Sequence, residues 1–405
     1  MNAFDPSAPV LYLAPHLRYP TRNGADILVD RTAHALSDHV PYVDLVGECE
    51  VRRYVRGAVQ QRRPFGNAMR HKQTAAMRTL LQRSHFYLEK FLTPAYRAEA
   101  LPLLSDPAYG TVMCSYLTTA CLLLDRTAPP PAQRLAMIWT HNDEFRWFDN
   151  LRRATRNPLG KLAAAFSERW LHAFFRRHAQ DFLFLHVTEE DQAGYARHYP
   201  GHPSVVVPIG VEVPPEPVPP RPPGVQAVRL LFVGALGVKM NLDALVHFAR
   251  NYLPALREHF GEALEVAVAG STPSPAVRAL CREQGWALHP DVSDDDLRRL
   301  YERTTFALLP FPYATGAKLK LLGALAHGVP FLATDAVKAQ ADAGRYPSLI
   351  ASDPRAWIER IEAVRRNGIP AATRDALYAV ARTHAWDASV RHLVSTLQAH
   401  RPHAT

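Results

Sequence analysis

Between Pro214 and Pro223, seven of ten residues are proline, and this run lies close to the middle of a 405-residue chain. Proline lacks a backbone N–H and has a fixed φ, so neither a helix nor an inner strand continues through such a run. The chain is therefore expected to fold as two bodies joined by a stiff, extended connector. Two domains of about 200 residues are also what a chain of this length ordinarily forms.

Both halves alternate short apolar runs with longer helical patterns, the signature of parallel sheets with crossover helices. In the first half the expected strands are 10–14, 43–46, 110–114, 136–140, 182–187 and 204–207. In the second they are 229–234, 265–270, 287–290, 306–310, 329–334 and 349–351. Helical spacing fills the intervals, as at 242–260 and 276–283, and a last helix is expected at 389–400. The reading is α/β, with doubly wound domains at 1–212 and 228–385, a linker at 213–227, and a C-terminal segment 386–405 that packs back on the first domain. Ligands of such sheets bind at the carboxyl ends of the strands, which places a site in a cleft between the domains.

The formal net charge of +9 is unevenly spread: 51–83 holds nine Lys/Arg and no Asp or Glu. A second basic region, 146–177, is interleaved with Trp147, Phe148, Trp170, Phe174 and Phe175. Such surfaces suit anionic lipid headgroups or an acidic polymer; an ordinary solvated arginine-rich face is the alternative. No nucleic-acid-binding motif is present, so nucleic acid is not an expected partner, whereas peripheral contact with an anionic membrane surface is. The start of the chain lacks the basic segment of a signal peptide, and no apolar run reaches the roughly 18 residues of a spanning helix. Four cysteines without metal-ligand spacing fit a cytoplasmic enzyme with reduced thiols and no bound metal.

The run 310–330 passes from a strand end through a Gly-bearing turn into a helix expected to start near Ala317. A helix N-terminus behind Gly316, with Lys318 and Lys320 in its first turns, is built to hold an anion; a solvated first turn is the alternative. The two lysines lie about 200° apart around a helix and cannot both address one phosphate. Lys318 is nearer the turn, and Lys320 shares a face with Gly323 and His327. Gly323 costs about 1 kcal/mol relative to alanine in mid-helix; it would let another backbone approach closely. His141 and Glu144 follow the strand at 136–140, where they are placed to orient or deprotonate an acceptor hydroxyl. Asn142 or Asp143 as a helix cap is the competing reading. Asn23-Gly24 is either a ligand-approach loop or a turn alone. Thr188 with Asp191 reads as a capping pair, and Gly210 as a turn. Metal-binding His pairs, nucleophile elbows, P-loops and dinucleotide fingerprints are missing, which excludes those chemistries.

In this order the segments resemble glycosyltransferases of the GT-B fold, family 4 in the broad sense, with two Rossmann-like domains facing across a cleft. The carriers are 11–25, with its Pro- and Gly-bearing loop; Thr140-His-Asn-Asp-Glu144; Val187-Thr-Glu-Glu-Asp191; Val207-Pro-Ile-Gly-Val-Glu212; Leu231-Phe-Val-Gly-Ala-Leu236 followed by Asn241; and 306–334. The resemblance implies sugar transfer from a nucleotide-sugar donor to a glycan or lipid-linked acceptor, with retention, no obligatory metal and no cofactor beyond that co-substrate. It places Asn23, Gly24, Gly234, Ala235, Lys239, Gly316, Ala317, Lys318, Leu319, Lys320 and Gly323 at the donor, and His141, Glu144 and Lys318 in catalysis. Two positions depart from the pattern. Gly323 stands where relatives carry a ribose-binding glutamate, and Ala235 where many carry arginine. Another ribose contact, a different donor, or a non-catalytic scaffold are the readings Gly323 leaves open; a transferase acting on nucleic acid is a further rival.

Overall fold

The computed structural model describes residues 3–21, 23–124, 134–155, 157–313, 318–337 and 349–399. The chain forms two compact units, one of Met1–Thr21, Ala25–Ile209 and Ser389–Thr405, the other of Arg22–Gly24 and Gly210–Ala388.

The first unit opens with β1 (Val10–Leu13), α1 (Gly24–Leu36) and β2 (Val43–Val46). An antiparallel hairpin of β3 (Glu50–Val55) and β4 (Ala58–Pro64) follows. It turns at Arg56 and Gly57, whose φ values of 48° and 65° match the twist of the flanking strands. Then come α2 (Lys72–Gln82), α3 (Phe86–Phe91), α4 (Pro94–Ser105), β5 (Thr111–Ser115) and β6 (Leu135–Thr140). The series ends with α5 (Glu144–Ala154), α6 (Pro158–His178), β7 (Leu183–His186), α7 (Glu189–His198) and β8 (Ser204–Val206). The strands lie in the order β4-β3-β2-β1-β5-β6-β7-β8, parallel from β2 to β8. Every residue of β1, β2, β5, β6 and β7 is buried, as in parallel strands covered on both faces.

The second unit runs β9 (Val228–Val233), α8 (Lys239–Asn251), α9 (Leu253–Phe260), β10 (Leu264–Gly270), α10 (Pro275–Glu283) and β11 (Ala287–Pro290). It continues with α11 (Asp294–Arg303), β12 (Phe306–Leu309), α12 (Lys318–Ala326), β13 (Phe331–Ala333), β14 (Leu349–Ile350), α13 (Pro354–Asn367) and α14 (Ala371–Thr383). Its six strands are all parallel, in the order β11-β10-β9-β12-β13-β14. The final helix, α15 (Trp386–Ala399), belongs from Ser389 onward to the first unit. Val390, Leu393 and Leu397 are buried along it, and Ser389 Oγ donates to the Pro208 carbonyl.

Four sequence expectations change. The helix expected at 242–260 breaks at Tyr252, because Pro254 lies in the first turn of α9 and cannot continue α8. The basic run 51–83 contains the β3–β4 hairpin and is not simply a charged face. Arg52 pairs with Glu50 at 2.6 Å, Arg53 with Asp44 at 2.7 Å, Arg63 with Glu99 at 2.6 Å and Arg78 with Glu89 at 2.8 Å. Gly210 serves close packing, not a turn: a Cβ there would lie 2.3 Å from the Trp386 ring. The proline run is more than a connector, since it lies on the second unit. Val218 N–H donates to the His327 carbonyl (3.0 Å), Tyr378 Oη to that of Pro214 (2.7 Å), and Arg221 bridges Ile369.

Candidate active site

In each sheet the winding direction reverses at the first strand: β1 lies between β2 and β5, and β9 between β10 and β12. Crevices at such reversals, at the carboxyl ends of the strands, are where open α/β sheets bind ligands. Both clusters described next sit at these points.

In the first unit, His16 follows β1, Ser115 ends β5, Tyr116 comes next, and His141 follows β6. Tyr116 takes a φ of 65°, a region a bulky residue seldom adopts and that costs on the order of 1–3 kcal/mol. Its ring lies 4.4 Å from that of His141 and 4.9 Å from that of His16, and the two histidine rings are 5.5 Å apart. His141 Nε2 is hydrogen-bonded to Ser115 Oγ. Glu144 is the first residue of α5, fully buried, and its Oε1 accepts the Leu117 N–H at 3.3 Å. Asp143 caps the same helix, accepting the Arg146 N–H at 3.1 Å, so the capping reading holds for Asp143. Thr188 likewise caps α7, accepting the Asp191 N–H at 3.0 Å.

Burial sets the charge state of this cluster. Desolvation draws His16 down to about 3, and His141 well below the ordinary histidine value, with the neighbouring His16 as a lesser cause. It pushes the Glu144 carboxyl up to about 8, against the opposing Leu117 hydrogen bond. At neutral pH all three are therefore uncharged. Both ring nitrogens of His16, Nδ1 of His141, Oε2 of Glu144 and the hydroxyl of Tyr12 are buried with no hydrogen-bond partner among the described residues. Buried polar atoms are nearly always paired, so five near one strand-end crevice leave bonding capacity for water or a polar ligand.

In the second unit, Gly234 directly follows β9. A Cβ there would meet Lys320 Cε at 2.8 Å and Asn241 Nδ2 at 3.1 Å. Gly270, at the end of β10 with a φ of 150°, packs so closely that its Cβ would lie 1.7 Å from the Gly234 carbonyl oxygen. Lys320 is half-buried on α12, its ammonium 5.3 Å from the Phe311 ring centroid, and desolvation lowers it to about 8. Asn241 Nδ2 donates to the Ala235 carbonyl at 2.7 Å, while its buried Oδ1 has no partner among the described residues.

Of the residues expected at a donor, Gly234, Ala235 and Lys320 come together here, with Asn241 added by the structure. Leu319 precedes Lys320 on α12. Gly316 and Ala317 lie outside the described residues, and Lys318 is placed only as the first residue of α12. Asn23 and Gly24 stand at the start of α1 and group with the second unit. Lys239 is exposed and paired with Asp243 at 2.6 Å, which directs its charge along α8. Gly323 admits no close backbone: the nearest atom to a Cβ there is Tyr301 Oη at 3.6 Å, so room rather than contact distinguishes it. His327, one turn on, bonds through Nδ1 to the Gly323 carbonyl (2.8 Å) and stacks on Tyr301. His16, Ser115, Tyr116 and Asn241 were not expected as site residues; the first three sit at or just past strand carboxyl ends, which was the available signal.

Residues 227–367 match the family model described as Glycosyl transferases group 1. Over that span the second unit resembles a group 1 glycosyl transferase domain. Solved structures extend the likeness over the whole chain. Sucrose-phosphate synthase from Thermosynechococcus elongatus superposes with a TM-score of 0.63 at 13% identity, covering 97% of this chain and 98% of that one. The catalytic domain of starch synthase IV from Arabidopsis thaliana, bound to ADP and acarbose, gives 0.59 at 12%, covering 97% and 99%. Anabaena HepE in complex with UDP gives 0.56 at 12%, covering 97% and 100%. No curated protein sequence matches this one. The glycosyltransferase fold is thus GT-B, with a Rossmann-like unit in each half.

Proposed function

We propose that this glycosyltransferase moves a sugar from a nucleotide-sugar donor to a hydroxyl of a glycan or glycolipid acceptor, with retention and without a catalytic metal. The observation that carries the reading is Lys320, a half-buried ammonium beside Gly234 at the reversal point of the second sheet. Glycosyl transfer from such a donor releases a nucleoside diphosphate whose negative charge grows as the anomeric bond breaks. A desolvated cation interacts more strongly with that charge than with the intact donor, so it lowers the barrier and does not merely tighten binding. The lack of a side chain on Gly234 lets Lys320 and Asn241 close on its backbone, and the unpartnered Asn241 Oδ1 suits a hydroxyl or amide donor of the ligand.

The neutral His16, His141 and Glu144 suit the acceptor. Uncharged donors and acceptors recognise sugar hydroxyls, and His141, with Ser115 on Nε2, has Nδ1 left to take a hydrogen bond or proton. A buried carboxyl that stays protonated supports a hydrogen-bond donor role for Glu144.

The test is a thermal-shift screen with UDP, GDP, ADP and CMP and their sugars, followed by measurement of nucleotide release. A ligand at a hundred times its Kd adds about 2.7 kcal/mol of stability. One nucleotide series should raise the transition, and its sugar should be consumed only when acceptor is present. Binding without release from any sugar donor would point to a sugar-nucleotide-binding scaffold, the reading Gly323 keeps open. No shift with any nucleotide would overturn the donor site altogether.

A further inference from the structure

Eight large apolar side chains are strongly exposed among the described residues, and six belong to three helices of the first unit: Met77 and Leu81 on α2, Trp147 and Leu151 on α5, Leu159 and Leu162 on α6. These helices are neighbours, for α6 packs against both α2 and α5. The inward face of α2 is Ala75 and Thr79, so Met77 and Leu81 project from its opposite side. On α6 the buried face is Ala163, Ala164, Ser167 and Leu171, which turns Leu159, Leu162, Phe166, Arg169 and Ala173 outward. A groove of about 530 Å³, lined by Arg83, Phe166, Arg169, Trp170 and Ala173, joins the end of α2 to this outward face. Nothing in the sugar-transfer reading uses this surface.

Its charge is as one-sided as its apolarity. Lys72, Arg83, Lys161, Arg169, Arg176 and Arg177 are exposed and form no ion pair with any described residue. The acids of these helices are already committed: Asp149 pairs with Arg152 and Arg153, and Glu168 with Arg152. Buried Glu144 is turned inward.

We propose that the outward faces of α2 and α6 dock on an anionic lipid bilayer. Leu81, Met77, Leu159 and Leu162 enter the interfacial zone, and the Arg83–Arg169 groove takes a lipid phosphate against the Trp170 and Phe166 rings. Aliphatic side chains ringed by cations are the composition of helices that lie in a bilayer interface. A second copy of this chain is a poor occupant, since a symmetric contact would set this cationic surface against the same cationic surface. Nucleic acid would call for exposed rings on which bases stack, and the outermost side chains here are leucine and methionine.

The experiment is co-sedimentation of the full chain with vesicles of phosphatidylcholine alone and with phosphatidylglycerol added, together with sedimentation velocity. Binding should need the anionic lipid and weaken with salt. R83Q and R169Q should each lower the partition coefficient about fivefold, the loss expected of one cation near such a surface. L81E/L162E should abolish binding while thermal stability and nucleotide binding stay as in the parent, which separates this result from any failure at the donor site. Equal binding to neutral vesicles, binding to neither, or an L81E/L162E change in oligomeric state would each overturn the proposal. So would capture of single-stranded RNA that competes with vesicles for the same arginines.

Discussion

Glu144 makes the stability of the first unit depend on pH in an unusual direction, and replacing it by glutamine should remove that dependence. In the unfolded chain its carboxyl releases a proton near 4.5; buried at the start of α5 it holds the proton up to about 8. Between those values the folded state carries one more proton than the unfolded one, so stability falls as pH rises. The slope is about 1.4 kcal/mol per pH unit, and the accumulated loss by pH 8 is about 5 kcal/mol. Glu144→Gln keeps an oxygen for the Leu117 N–H and carries no ionisable group. The variant should match the parent within about 1 kcal/mol at pH 5 and exceed it by several kcal/mol at pH 8.5. Urea denaturation at half-unit intervals of pH, followed by tryptophan fluorescence, measures both curves. A difference between variant and parent that stays flat from pH 5 to 8.5 would refute the assignment of a proton to buried Glu144.

The proposed donor site yields a second pH effect: Lys320 loses its charge as pH passes about 8, so affinity for the stabilising nucleoside diphosphate should fall above that value in calorimetric titrations. Lys320→Met should weaken binding at pH 7 and erase that fall. Gly270→Ala should destabilise the second unit by more than about 3 kcal/mol, because a Cβ would overlap the Gly234 carbonyl; ordinary thermal stability would count against this packing. Gly323→Glu should fold normally, since its first carbon meets only Tyr301 Oη at 3.6 Å, and nucleotide affinity measured on it reports whether a ribose contact is gained. His141→Ala should lower kcat by about 10²–10⁴ if Nδ1 handles the acceptor proton, with a smaller change in KM.

The sequence made the parallel strands legible because most are short, largely apolar runs bounded by turn residues, as 10–14 and 136–140 show. The hairpin β3–β4 was not, since its pattern is written in arginine and glutamine: β4 is an exposed edge strand, where a charged surface guards against pairing with other chains. The candidate donor region was read from glycines and lysines near one helix start, yet spacing alone could not decide which lysine lies against β9; the structure sets Lys320 beside Gly234. His16 escaped notice because its meaning depends on Tyr116 and His141, about 100 and 125 residues away in sequence, which only the order of strands brings together. Gly210 looked like a turn because its partner, Trp386, lies far along the chain.

Because α15 completes the first unit while everything from Gly210 to Ala388 belongs to the second, the second unit is an insertion within the first. A ribosome releases α15 after the whole of the second unit. The second unit can thus reach its native form during synthesis, whereas the first waits for α15 with the surface that this helix covers still bare. An expressed fragment ending near Ile209 should accordingly be prone to aggregation, and appending 386–399 through a flexible linker should restore its solubility. A nonsense change just ahead of α15 should therefore be felt first in the unit that was made before the other.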